Sequence, residues 1–233
     1  MKIVTWNCRG NFSNKFNYIK NLDADIYVIQ ECDRPADSNN SQYKDFSKNS
    51  LWVGKYDNNG ASRGLGIFVK EGHTVMDNQW SQGNPGYYIS CRIDDTFDLL
   101  GVWAYHDEDK CYAPGVLNYI TEYKSQLNTN YVIAGDLNLN ENISGLWKSS
   151  KIQTIETFRL LNSVGLVSAY HKRFNETHGN ESRKTFYRGA RPSTHIDYIF
   201  ADSPKIKSAE LMNPDVWIRK GIDHLPLLVE IEI

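Results

Sequence analysis

A carboxylate and a carboxamide stand two residues apart at the end of an apolar run, Tyr131-Val132-Ile133-Ala134-Gly135-Asp136-Leu137-Asn138. If the two-residue period of a strand persists beyond the glycine, Asp136 and Asn138 project to the same side. So placed, the carboxylate can orient or deprotonate a water and the carboxamide can donate to a phosphate oxygen. Alone, the same pair also suits an Asx turn, with both side chains satisfying local backbone groups. Other polar residues occupy similar positions. Apolar runs lead into Asn7, Glu31 and Tyr105-His106, and Asp223-His224 stands just before the last apolar run. Asp197 lies inside the apolar run His195–Phe200, where a buried carboxylate costs several kcal/mol unless it is paired.

The elements that must hold these residues are mostly strands. Lys2–Trp6, Asp25–Glu31, Arg63–Lys70, Tyr131–Ala134, Leu166–Ala169, Ile206–Met212 and the C-terminal run read as buried or half-buried strands. Tyr87–Ile93 and Phe97–Ala104 flank Asp94-Asp95-Thr96 as a hairpin. Helical spacing appears in Ser13–Leu22, with Ser13 as N-cap, in Gly115–Leu127, and in about Ile152–Asn162 before Gly165. Asp33–Ser50 and His171–Pro192 read as polar connections. Strands outnumber helices and no linker or repeat divides the chain, so one domain over residues 1–233 is expected, a two-sheet sandwich with helices outside.

Composition narrows the options. The 233 residues can bury a large core without disulfides, and the formal net charge of -2 gives no global basic field. None of the four cysteines forms a CxxC pair, and no Cys/His set announces zinc. Cys8, Cys32 and Cys91 fit reduced core positions in a cytoplasmic protein. No run has the length of a membrane span or a signal segment, so a soluble monomer is expected.

Taken in order, Thr5-Trp6-Asn7, Gln30-Glu31, Gly135-Asp136-Leu137-Asn138, Ile196-Asp197-Tyr198 and Asp223-His224-Leu225-Pro226 resemble the motifs of the endonuclease/exonuclease/phosphatase superfamily. That superfamily includes pancreatic deoxyribonuclease, exonuclease III and the neutral sphingomyelinases. The resemblance spans the whole chain. It implies a deoxyribonuclease I-like α/β (α+β) fold, a four-layered α/β/β/α sandwich of two mixed β-sheets flanked by helices. It implies that Asn7, Glu31 and Asp223 surround Mg²⁺ or Mn²⁺, and Glu31 is indeed a hard oxygen donor. Asp136 would orient or deprotonate water, Asn138 would touch a phosphate oxygen, and His106 and His224 would serve phosphate binding or acid–base work. Asp197 would hold one histidine in a single tautomer, His106 or His224. The residue before His106 is Tyr105, which departs from the Asn-Thr-His pattern. The chain lacks the membrane-docking hairpin of sphingomyelinases and the longer substrate loops of inositol phosphatases.

The segment Tyr170 to Arg191 interleaves basic and aromatic residues. Arginines meet phosphates and rings stack on bases, so Arg183, Lys184, Arg188, Arg191 and Tyr187, with Arg63, are expected substrate contacts. The expected function is a Mg²⁺-dependent phosphodiesterase with nucleic acid, DNA first, as its partner. The alternatives are a phosphatase or phosphodiesterase on a small or lipid phosphoester, and a non-catalytic binding module.

Overall fold

Apolar runs covered on both faces make the central strands of this computed structural model, which describes residues 1–58, 60–81, 86–105, 112–142, 150–218 and 221–233. The first sheet contains β1 (Lys2–Asn7), β2 (Ile26–Cys32), β3 (Ser50–Tyr56) and β4 (Ser62–Val69). The second contains β5 (Val75–Asp77), β6 (Tyr87–Ile93), β7 (Phe97–Trp103), β8 (Tyr131–Asp136) and β9 (Leu166–Ser168). A separate ribbon joins β10 (Phe186–Arg188) to β11 (Arg191–Thr194). The chain then adds β12 (Asp197–Asp202) to the second sheet, and β13 (Ile206–Leu211) and β14 (Leu227–Ile231) to the first.

Among the described residues the first sheet runs β13-β14-β1-β2-β4-β3 and the second β5-β6-β7-β8-β12-β9. Both are mixed: β1 pairs in parallel with β2, and β7 with β8, while the other pairings are antiparallel. Alternation in β8 shows how the layers are made. Val132 and Ala134 join the core between the sheets. Tyr131 and Ile133 face the other way, into a cluster with Val116, Ile120, Phe158 and Leu161. Those four belong to α3 (Tyr112–Glu122) and α4 (Ser150–Ser163). On the first sheet, Phe16 and Ile19 of α1 (Phe16–Lys20) and Tyr43 of α2 (Ser41–Phe46) are buried in the same core cluster as Phe68. Two short helices, α5 (Ala169–Phe174) and α6 (Pro214–Trp217), complete the set. The result is the expected four-layered sandwich of two mixed sheets. No helix among the described residues is long and apolar enough to cross a membrane.

The local departures have physical causes. The expected helix from Ser13 is shortened to α1, because Asp33 accepts from the backbone N–H groups of Asn11 and Ser13 at 3.1 and 2.9 Å and a 3-10 turn forms there instead. The polar stretch Asp33–Ser50 contains α2, capped by Asn40, whose Oδ1 accepts from the N–H groups of Gln42 and Tyr43. The helix expected at Gly115–Leu127 begins earlier, at Tyr112, and ends at Glu122. Gly135 has φ +155°, and a Cβ there would lie 1.9 Å from the Val102 carbonyl oxygen. No other residue fits that approach between β8 and β7.

Candidate active site

Parallel pairing puts the C-terminal ends of β1 and β2 at one edge of the first sheet, with Asn7 opposite Gln30. The same holds for β7 and β8, with Trp103 opposite Asp136. Because β12 runs antiparallel to β8, its first residue rather than its last meets that edge: Asp197 is in register with Asp136. Asn7 joins the two sheets. Its Nδ2 donates to Asp136 Oδ2 at 3.0 Å and to Glu31 Oε1 at 3.1 Å. Glu31 sits at a register shift in β2 with φ +58°, a bulge that turns its side chain partly out of an otherwise buried strand.

Beyond Asp136 the strand period breaks. Asn138 has φ +52°, and its N–H donates to Asp136 Oδ1 at 3.1 Å, an Asx-type bond. Its Nδ2 donates to the Ala104 carbonyl at 3.1 Å, which leaves its second side-chain N–H for a ligand. Both readings of this stretch therefore apply: a local turn and a pair of polar groups at one cavity.

Asp197 pairs with His224. Nδ1 of His224 lies 3.1 and 2.9 Å from the two carboxylate oxygens, and Asp197 is fully buried. Thr185 Oγ1 accepts from the N–H groups of Ile196 and Asp197, and Trp6 Nε1 donates to the His224 carbonyl at 3.1 Å. The ring of Phe186 packs 4.9 Å from that of His224. His106 lies outside the described residues. With Nδ1 taken by Asp197, the Nε2 proton of His224 is the one available to a ligand.

These groups surround a cavity of about 780 Å³ whose wall includes Asn7, Glu31, Asp136, Asn138, Asp223 and His224. Arg63, Lys184 and Arg188 also line it. Arg63 is 3.3 Å from Glu31, and Arg9, which sequence reasoning passed over, is 3.3 Å from Asp223. An Arg-Gly pair just after the first motif was the available signal for Arg9. Arg183 turns away from the cavity, since its guanidinium donates to the Leu211 carbonyl at 2.6 Å and lies against the Phe174 ring. Tyr187 packs on the core, and its N–H donates to the Asp223 carbonyl at 2.7 Å. Arg191 is exposed on the ribbon opposite Arg188, outside the cavity wall.

The donor set suits a hard cation. Glu31, Asp223 and Asn7 offer only oxygen, and Asp223 Oδ1 is buried without a partner among the described residues. Asp136, Asp197 and His224 also offer ligand atoms, all within 4.8 Å of one another. There the Asp197–His224 hydrogen bonds make a proton-holding set the better description. Burial, then the Asp197 carboxylate, raises Asp136 to about 7, although His224 and the Asn7 amide pull it down. Burial disfavours a charged His224, but Asp197, by charge and by hydrogen bond, outweighs this and lifts it to about 9. Near neutral pH a substantial share of Asp136 is therefore ionised and able to accept a proton, while His224 is held cationic.

The same balance predicts a stability maximum near neutral pH in chelator. Burial drops His178 to about 3 and His195 to about 4, so between pH 4 and 6.5 the unfolded chain binds two protons that the native state refuses. Asp136 opposes with one proton held by the native state below about 7. The net excess of protons on the unfolded chain makes stability rise with pH from about 4 to 6.5. The His224 contribution is complete below about 6.5 and is lost as pH climbs to about 9. Thermal unfolding from pH 4 to 9 checks this, and a flat profile below pH 6.5 would contradict it.

The chain matches the profile of the Endonuclease/Exonuclease/phosphatase family over residues 4–216. No curated protein matches it in sequence. A 3′ phosphatase from Neisseria, solved with a product DNA hairpin, is 16% identical with a TM-score of 0.70, and 100% of each chain is covered. An endonuclease/exonuclease/phosphatase from Beutenbergia cavernae is 14% identical with a TM-score of 0.72, covering 100% of this chain and 71% of that one. A mannosyl-6-phosphatase from Bacteroides thetaiotaomicron is 13% identical with a TM-score of 0.64, and 100% of each chain is covered. These likenesses establish the deoxyribonuclease I-like fold.

Proposed function

The chain belongs to the endonuclease/exonuclease/phosphatase family of phosphoester hydrolases, and we propose that it is a Mg²⁺- or Mn²⁺-dependent phosphodiesterase acting on nucleic acid, DNA in the first instance. The observation that carries this reading is the spread of cations around the cavity. Arg63 stands beside Glu31, while Lys184 and Arg188 line the wall formed by the polar connection and the ribbon. A single phosphate needs fewer partners; a polyanion meets several in succession. The Neisseria relative holding a DNA hairpin supports the same choice.

In this reading Asp136 accepts the proton of a water as the water oxygen attacks phosphorus and the bond to the leaving oxygen breaks. Asn7 and the Asn138 backbone N–H hold the Asp136 carboxylate in place. The second N–H of Asn138 and the Nε2–H of His224 donate to phosphoryl oxygens, where charge develops in the transition state. Asn7, Glu31 and Asp223 would hold the hard cation, which when bound supplies charge neutralisation at the scissile phosphate.

The substrate class is tested by salt. The triple variant Lys184→Ala, Arg188→Ala, Arg191→Ala should weaken oligonucleotide binding and reduce the slope of log affinity against log salt by about 0.7–0.9 per lost phosphate contact. Turnover of bis-p-nitrophenyl phosphate, which spans one phosphate, should persist. Fluorescence anisotropy at several salt concentrations gives the slope. An identical slope in wild type and variant would favour a small phosphoester instead.

A further inference from the structure

Residues 175–184, Asn-Glu-Thr-His-Gly-Asn-Glu-Ser-Arg-Lys, contain no aliphatic or benzenoid side chain. Its one packed ring is His178, stacked on Phe158 at 4.1 Å, yet Gly179 and Glu181 are buried in the protein. The Glu181 carboxylate is wholly inaccessible. Its Oε1 lies 3.2 Å from His171 Nε2 and accepts from the Gly179 N–H at 2.8 Å, and Asn140 Nδ2 donates to both oxygens. His171, His178 and Glu181 each present a ligand atom, all within 4.8 Å of one another. The His195 ring centroid is 5.6 Å from that of His171.

Two nitrogens here have no partner among the described residues, although both are inaccessible to solvent: His178 Nδ1 and His195 Nε2. His195 has no exposed surface at all. Its Nδ1 is 3.2 Å from the Arg183 carbonyl, which can only accept, so Nδ1 carries the hydrogen. In a neutral ring Nε2 is then a bare lone pair, and a buried lone pair without a donor is costly. An imidazole lone pair in that condition is what a metal uses.

We propose that His171, His178 and Glu181 form a second metal site, for a borderline transition cation of the Zn²⁺ class, and that His195, which lies outside that 4.8 Å group with its Nε2 lone pair unused, moves in as the fourth donor when the ion binds. The site is chemically distinct from the all-oxygen set of Asn7, Glu31 and Asp223. Mixed imidazole and carboxylate donors suit Zn²⁺ or Co²⁺, whereas Mg²⁺ takes oxygen. Four protein donors describe a closed, structural site. Donors 2.0–2.1 Å from a tetrahedral ion lie about 3.4 Å apart, so side chains now within 4.8 Å need to close by about an ångström. His171 Nδ1 is already fixed by Ser168 Oγ at 2.8 Å, the kind of outer contact that orients a ligating ring. Lys184 Nζ donates to the Glu181 carbonyl at 2.6 Å and lies 3.6 Å from its carboxylate, so a dication at the site has to displace this ammonium toward the catalytic cavity that Lys184 also lines. The site would pin the segment between α5 and β12 against the end of β8, through Asn140.

The test uses the full chain carrying Glu31→Ala, which removes the oxygen site, after EDTA treatment and dialysis. Co²⁺ should bind at one equivalent with the visible absorption of a tetrahedral nitrogen–oxygen complex. Zn²⁺ should displace it and Mg²⁺ should not. Zn²⁺ at about 100 times its dissociation constant should raise Tm by about 5–10 °C. His178→Ala in the same background should abolish both signals, and His195→Gln should weaken or reshape the cobalt band if the first variant fails to fold. Absence of the band and of the Tm rise in the Glu31→Ala protein would overturn the proposal. So would binding that survives His178→Ala or that Mg²⁺ competes away. None of these readouts depends on hydrolysis, so the site can fail while the catalytic reading stands.

Discussion

Asp136→Asn should lower kcat by about 10²–10⁴ at saturating Mg²⁺, the range for loss of a general base, with KM little changed. The substitution keeps the size of the side chain and the bond from the Asn138 N–H, since an amide oxygen accepts as a carboxylate oxygen does. What it removes is the group that takes a proton from water. Asn7 Nδ2 donates to the other oxygen, Oδ2, at 3.0 Å, and because an amide has a single oxygen that one acceptor is lost in the variant. Circular dichroism and single-turnover kinetics separate misfolding from lost chemistry. A kcat near that of the wild type would remove Asp136 from the role of base.

His224→Ala should cost about 10²–10³ in kcat, the loss expected when one donor to a developing oxyanion is removed. The more telling variant is Asp197→Asn. Asp197 is the cause that lifts His224 to about 9, so in the wild type the cation survives well into alkaline solution. With a neutral partner in place of Asp197, the largest influence favouring the cation is gone, Asp136 and Asp223 remain as smaller ones, and burial weighs toward the neutral ring. The alkaline limb of log kcat against pH should therefore move down by at least one unit in Asp197→Asn, toward or below the ordinary imidazole range near 6.5. A purely structural role for Asp197 would lower activity at all pH values without moving that limb. An unmoved limb, with the protein folded, would contradict the assignment.

Much of this architecture was legible because both faces of the central strands are covered. Val132, Ile133 and Ala134 read as one apolar run whichever way each side chain points. The ends of those strands were legible too, since a run that stops on Asn7, Glu31 or Asp136 is visible without knowing the sheet order. The direction of pairing was not. Asp197 is at the beginning of β12, not the end, because β12 returns antiparallel along β8, a long-range choice that local pattern does not carry. Asn138 reaches the cavity through a left-handed turn rather than through strand alternation, so the two-residue period led to a cavity residue for the wrong geometric reason. Charge along the chain was a weaker guide than charge in space. Arg183 and Lys184 are neighbours in sequence, but the guanidinium is bound to the Leu211 carbonyl away from the cavity, whereas Lys184, bonded to the Glu181 carbonyl, still lines it. The histidine–glutamate cluster was invisible for a similar reason. His171 comes from α5, His178 and Glu181 from a polar loop, and His195 from the turn before β12, with no spacing that a metal motif would recognise.

The central claim is that this cavity hydrolyses phosphodiesters with a hard cation and with Asp136. Its most direct test is the cleavage of a fluorescently labelled DNA duplex and of bis-p-nitrophenyl phosphate, with Mg²⁺ or Mn²⁺, by wild type, Glu31→Ala and Asp136→Asn. The account predicts metal-dependent cleavage by the wild type, stopped by EDTA, and strongly reduced in both variants while they remain folded. Hydrolysis that persists in EDTA and in Asp136→Asn, or none from the folded wild type with either ion on either substrate, would contradict it.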